Sequence, residues 1–136
     1  MQFSLQVKAT NAPDLPVEAV LITHKDITTP RPTILMPHGG PHSCYPTSYF
    51  SGYTFLVSLG YNLVLVNFRG STGFGEDSIQ SLPGNIATND VLDCMACLQA
   101  AIETGVCLHQ LVKVLQFGKD TLCLHTCMAS SVQTWS

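Results

Sequence analysis

Thr33-Ile34-Leu35-Met36-Pro37-His38-Gly39-Gly40-Pro41 and Asn62-Leu63-Val64-Leu65-Val66-Asn67-Phe68-Arg69-Gly70-Ser71-Thr72-Gly73-Phe74-Gly75 decide the fold of this chain. Each opens as a short apolar run and closes in glycines. A continuous apolar run bounded by turn residues marks a strand buried on both faces, the kind that parallel sheets contain. Between the two runs, Tyr49, Phe50, Tyr53, Phe55, Leu56, Val57 and Leu59 predict a helix over residues 47–59 that Gly60 ends. Residues 87–102 give the clearest helix, with Val91, Met95, Leu98 and Ile102 at helical spacing. Thr88 or Asn89 can cap it, and Asp90 and Asp93 fall in its first turns, where the helix dipole favours negative charge. Residues 17–23 predict an early strand at an edge, residues 70–84 a long loop over the surface, and residues 111–115 one more strand. Strands alternating with helices, where the strands are apolar throughout, indicate an α/β fold with a parallel sheet covered on both faces.

The distribution of charge agrees with a buried centre. No Asp, Glu, Lys or Arg occurs between Arg31 and Arg69, and from residue 70 to residue 112 every charge is acidic. Only 11% of the 136 residues are charged and 46% are hydrophobic, which excludes intrinsic disorder for most of the chain. The net charge of -3, without any basic cluster, argues against nucleic-acid binding through phosphate neutralisation. The uncharged stretch is not a membrane span, because Pro37, Pro41 and Pro46 with Gly39, Gly40, Gly52 and Gly60 cut it well short of the ~20 apolar residues a span needs. Residues 1–10 have no basic start followed by an apolar run, so a signal peptide is not expected and the expected location is cytoplasmic.

Six cysteines in a reducing compartment predict free thiols rather than a disulfide framework. A zinc site would need paired ligands from tight knuckles. Cys94 and Cys97 lie within the helical pattern and are expected as small core residues, and Cys123, His125 and Cys127 are too closely spaced. No metal or other cofactor is expected.

His38-Gly39-Gly40-Pro41 after a buried strand has two readings. It fits the loop that supplies an oxyanion-hole amide in α/β-hydrolases, where glycine lets backbone N–H groups approach a developing oxyanion. It also fits a plain tight turn. Gly70-x-x-Gly73-x-Gly75 reverses the gaps of a dinucleotide-binding fingerprint and opens no helix at its third glycine, so that reading is rejected, and no P-loop sequence occurs. The nucleophile elbow Gly-x-Ser-x-Gly is absent from the 136 residues. Without it none of His24, His38, His42, His109 and His125 is assignable as a triad base, and His38 reads as a loop residue that holds its turn by hydrogen bonds.

Taken as a series, residues 38–42 (His-Gly-Gly-Pro-His), 59–61 (Leu-Gly-Tyr), 66–77 (Val-Asn-Phe-Arg-Gly-Ser-Thr-Gly-Phe-Gly-Glu-Asp), 80–84 (Gln-Ser-Leu-Pro-Gly) and 89–91 (Asn-Asp-Val) closely resemble the catalytic domain of the acylaminoacyl-peptidases, within the prolyl oligopeptidase family of serine peptidases. The resemblance covers residues 17–105. It implies a partial α/β-hydrolase fold, a mostly parallel sheet with flanking helices, and a peptidase that releases an N-acylated residue from short peptides. It implies that His38, Gly39, Gly40 and Pro41 form the oxyanion-hole loop, and that Arg69, Gly70, Ser71, Gly73 and Gly75 lie in a loop near the active site. Residues 1–16 are then an N-terminal extension and residues 106–136 a divergent tail where family members continue into an elbow. The triad serine, aspartate and histidine are missing, so the expectation is a truncated, inactive form. The alternative is a non-catalytic binding or interfering fragment that associates with full-length subunits.

Overall fold

The two apolar runs form adjacent strands. The computed structural model describes residues 1–9, 11–40 and 42–115. β1 is Gln2–Ala9, β2 Ala12–Ile22, β3 Arg31–Pro37, β4 Asn62–Asn67 and β5 Cys107–Val114, with helices α1 Ser51–Ser58, α2 Glu76–Gln80 and α3 Asn89–Glu103. β3 and β4 pair in parallel, Thr33 against Asn62 and Pro37 against Val66. All of β4 is buried, as a central strand covered on both faces must be. β5 runs parallel to β3 on its other side, with Leu35 against Val114. β2 pairs antiparallel with β4 and β1 antiparallel with β2, giving the order β1-β2-β4-β3-β5.

Side chains alternate between faces along a strand, and the core divides accordingly. One face carries Val20, Ile34, Met36, Leu63 and Leu65, against which Tyr53, Leu56 and Val57 of α1 pack. The other carries Val17, Ala19, Leu21, Leu35, Val64 and Val66 under Cys94, Cys97, Leu98 and Ala101 of α3. The connection from β3 to β4 therefore crosses one face and that from β4 to β5 the other. Each fully buried Leu or Val contributes about 1.5–3 kcal/mol relative to exposure, so the sheet centre rather than the short α1 carries the stability. Cys94, Cys97 and Cys107 are buried free thiols and Cys44 is an exposed one. The first two fill the interface between α3 and the sheet, as expected of small core residues.

Several elements differ from expectation. The parallel part of the sheet is confined to β4, β3 and β5, and the first two strands form an antiparallel hairpin. Residues 1–16, expected as an extension, are β1 and the start of β2. The signal was present in Phe3, Leu5, Val7 and Ala9, which alternate with polar residues as a half-buried strand requires. β2 is consequently internal rather than an edge. The strand expected at residues 111–115 is present as β5, which begins earlier, at Cys107, and ends at Val114. The long loop of residues 70–84 contains α2 and is tied down by buried Ser71, Ser78 and Leu82. Thr88 takes the N-cap position of α3 without a side-chain cap. The Asn89 amide is committed elsewhere, donating to the Ser81 carbonyl at 3.1 Å and accepting from Asn11 at 3.2 Å. Cys123, His125 and Cys127 lie outside the described residues.

Candidate active site

Open α/β sheets bind ligands at the carboxyl ends of strands whose connections diverge to opposite faces. β3 and β4 are such a pair, and the loops that follow them are sewn together. His38, 4% exposed, directs Nε2 to Ser71 Oγ at 2.7 Å. Its ring stacks on Phe68 at 4.3 Å between centroids and meets the Tyr45 ring edge-on at 5.7 Å. His42 Nδ1 donates to the Gly70 carbonyl at 3.0 Å, and the Thr72 amide donates to the Ser43 carbonyl at 2.9 Å. Asn67, the last residue of β4, completes the seam. Its Oδ1 accepts from the Tyr45 amide at 2.7 Å, and its Nδ2 donates to the Tyr45 carbonyl at 3.1 Å and to Glu18 Oε2 at 3.2 Å.

A buried ion pair anchors the second loop from behind. Asp93 on α3 accepts from Arg69 Nε at 2.9 Å, from Arg69 Nη2 at 2.9 Å and from the Arg69 backbone amide at 2.9 Å. Arg69 is 2% exposed and Asp93 0%, so neither charge has water to fall back on. Immediately after, Gly70 takes a φ of +99°, and a Cβ there would stand 2.4 Å from Leu82 Cδ2. Only glycine satisfies both the backbone conformation and the contact.

Burial sets the electrostatics of the seam. It pushes the His38 imidazole below its ordinary range, against the opposing pull of the Gly39 and Gly40 carbonyls. It pushes the Tyr45 phenol up to about 12. The centre of the site is thus uncharged at neutral pH.

Of the residues singled out from sequence, the structure brings His38 against Ser71 and His42 against Gly70. Gly39 and Gly40 follow His38 at the mouth, Gly40 exposed and at a φ of +62°. Neither glycine amide donates a hydrogen bond among the described residues. Gly73 and Gly75 stand on an exposed turn with open space around them. Pro41 lies outside the described residues. Arg69, expected in a loop near the active site, is buried by its pairing with Asp93. Asn67, Tyr45 and Ser78 were not singled out, and Asp93 was read only for its place near the helix N-terminus, although its buried role was legible. It lies four residues before Cys97 on the apolar stripe of α3, where a lone carboxylate needs a buried cation.

The contact of Ser71 with His38 invites a nucleophile and base reading, which the geometry rejects. Ser71 is fully buried and its Oγ donates to the Phe68 carbonyl at 2.6 Å, so the hydroxyl has neither access to a substrate nor a proton to give to the imidazole. Chemically the site offers backbone donors at a rigid mouth. Among the described residues no group of three His, Cys, Asp or Glu converges as metal ligands, and no helix is long and apolar enough to cross a membrane.

Comparison with known proteins agrees with this architecture. Residues 47–115 match the model of the prolyl oligopeptidase family. The acylamino-acid-releasing enzyme 1 of Oryza sativa subsp. japonica is 50% identical over 99 residues, 73% of this chain and 13% of that protein. The acylamino-acid-releasing enzyme of Rattus norvegicus is 42% identical over 92 residues, 66% of this chain and again 13% of the relative. The Pyrococcus horikoshii acylaminoacyl peptidase superposes with a TM-score of 0.80 at 20% identity, over 91% of this chain and 20% of its own. This last likeness concerns the fold, an α/β-hydrolase-type peptidase sheet of which the described residues form part. The family match takes in α1, β4, the Arg69 loop, α3 and β5 together, the elements that build and brace the seam. On that match, which covers half of its residues, the chain belongs to the prolyl oligopeptidase family.

Proposed function

We propose that this chain carries the oxyanion side of a serine peptidase site of the acylaminoacyl-peptidase type, which takes short peptides with an acylated amino terminus. The observation that carries the reading is the pair of Gly39 and Gly40 amides, neither of which meets an acceptor among the described residues, placed at the carboxyl end of β3 beside the seam to residues 67–72. Preorganised amides of this kind stabilise a tetrahedral oxyanion without reorganising at the moment of reaction. The substrate class is drawn from the names of the relatives and rests on about an eighth of their length.

The 136 residues contain no nucleophile elbow, and the seam's own serine is unable to attack. We infer that these 136 residues by themselves do not hydrolyse such peptides, since an oxyanion hole without its nucleophile retains only a small part of the rate enhancement. Purified chain is expected to leave an acetyl-amino-acid chromogenic anilide intact. Turnover abolished by a serine-directed phosphonate would overturn that statement. A cytoplasmic location is proposed with it, in keeping with cysteines used as core side chains.

A second reading has one observation in its favour. Tyr49, Phe50, Phe55 and Leu59, on and around α1, are 57% to 82% exposed, a concentration of large apolar side chains that suits a partner. Association with full-length subunits of the family would cover it. Co-purification with a full-length acylamino-acid-releasing enzyme supports this reading, and a stable monomer that ignores such an enzyme rejects it.

A further inference from the structure

Ser71 touches no open surface, yet it makes the shortest polar contacts of the seam. Its Oγ lies 2.6 Å from the Phe68 carbonyl, which only accepts, so the hydroxyl proton lies between them. The same oxygen lies 2.7 Å from His38 Nε2. With its proton committed, Ser71 accepts from the ring, and Nε2 therefore bears hydrogen. In the neutral ring Nδ1 is then bare, and it faces the Gly39 carbonyl at 3.5 Å, acceptor towards acceptor. A second proton on the ring would turn that pair into a donor and an acceptor. The peptide joining Gly39 and Gly40 is trans, so drawing its carbonyl towards the ring points the Gly40 amide the opposite way.

We propose that Ser71 is a positioning residue: it fixes His38 as the Nε2–H tautomer and so makes the plane of the Gly39–Gly40 peptide, and the aim of the Gly40 donor, depend on whether His38 carries a second proton. The neutral ring leaves the peptide without a partner, and the imidazolium holds it by Nδ1–H to the Gly39 carbonyl. Burial favours the neutral ring at physiological pH. The titratable and charged groups on the surrounding elements are His42 on the same loop, Tyr45 and Tyr53 before and within α1, and Arg69 with Asp93, closed on each other. The catalytic meaning of the device rests on the oxyanion reading of the loop, but the tautomer does not, since it is measurable on the chain without any substrate.

The test is long-range 1H–15N correlation spectroscopy of the histidine rings in the 15N-labelled 136-residue chain across a pH titration, with the Gly40 amide followed in the same samples. The expected result is an Nε2–H tautomer for His38 at neutral pH, a titration midpoint below 6.5, and a Gly40 amide shift that moves with the same midpoint. Ser71→Ala, which removes the acceptor, is expected to shift the neutral ring to the Nδ1–H tautomer and to move the Gly40 amide at neutral pH towards its low-pH position. An Nδ1–H tautomer in the unsubstituted chain, or a Gly40 amide indifferent to the His38 titration, overturns the proposal. If Ser71→Ala does not fold, the unsubstituted chain alone decides on those two readouts. Failure of the oxyanion reading would leave the tautomer and its coupling to Gly40 intact.

Discussion

Replacing Asp93 by Leu strands the Arg69 guanidinium in the core, and the expected loss follows from the geometry. The carboxylate is 0% exposed and accepts from Arg69 Nε, Nη2 and the backbone amide at 2.9 Å each. With Arg69 2% exposed, solvent does not replace the lost partner. Breaking a buried pair of this kind costs about 3–5 kcal/mol, a large part of the roughly 5–15 kcal/mol that holds a domain folded. At a urea dependence of about 1.5 kcal/mol per M, the midpoint falls by about 2–3 M. Arg69→Met alone strands the carboxylate instead, although the Arg69 amide still binds it. The double variant, Arg69→Met with Asp93→Leu, removes both charges and leaves only that amide unpaired, a cost of about 1–3 kcal/mol. It is therefore expected to be more stable than the Asp93→Leu variant. Urea denaturation followed by circular dichroism measures all three. A single-variant loss under about 1 kcal/mol, or a double variant as unstable as the sum of the singles, would refute the view that the two charges are a closed buried pair.

Gly70→Ala combines a positive φ with a contact of 2.4 Å to Leu82 and is expected to lose about 2–4 kcal/mol in thermal unfolding, whereas Gly73→Ala, at a φ of +93° in open space, loses about 1–2 kcal/mol from the backbone alone. Equal losses at the two positions would remove Leu82 from the account. Asn67→Ala leaves the Tyr45 amide and Glu18 Oε2 without their Asn67 partner and costs about 1–3 kcal/mol. Hydrogen exchange at the Tyr45 amide should accelerate while that of β4 is unchanged; unaltered exchange at Tyr45 would contradict the seam. Burial raises the Cys94, Cys97 and Cys107 thiols, so folded chain holds protons that unfolded chain releases above pH ~8.5, and stability falls as pH rises through that value. His38 acts in the opposite direction, since its lowered affinity for a proton makes stability fall as pH drops below ~6.5. Chemical denaturation across pH checks both limbs, and a thiol reagent should label Cys44 in the native chain but the buried three only on unfolding.

The central fold was legible because its two decisive strands carry their burial in composition. Residues 62–67 contain no charge and form β4 with those bounds, and α3 begins and ends within two residues of the stretch its periodicity marks. The N-terminal hairpin was less legible, since β1 is half exposed and its alternation competes with a polar composition that resembles an extension. The seam was the least legible part. Its bonds between the two loops join residues 22 to 33 positions apart, and the pairing of Asn67 with Glu18 spans 49. No local period reports such contacts. A lone Asp93 on an apolar stripe and a lone Arg69 at the end of an uncharged run were the two traces of them in the sequence, and each makes sense only once the other is placed.

In the proposed reading, the seam also explains how the oxyanion side of the site is held by contacts among the described residues. Among the described residues, the bonds that position residues 38–45 come from β4, the Arg69 loop, the loop's own backbone and the Pro37 carbonyl at the end of β3, and the brace behind comes from α3. None requires a nucleophile. On the β4 side the crevice is closed by Phe68, Ser71 and Thr72. On the other side β5 delivers the chain to the same end of the sheet, where the Leu115 amide donates to the Leu35 carbonyl at 2.9 Å, two residues before β3 gives way to the glycine loop. In the proposed reading the oxyanion donors are fixed first by local contacts, and the nucleophile is the part that has to be brought to them.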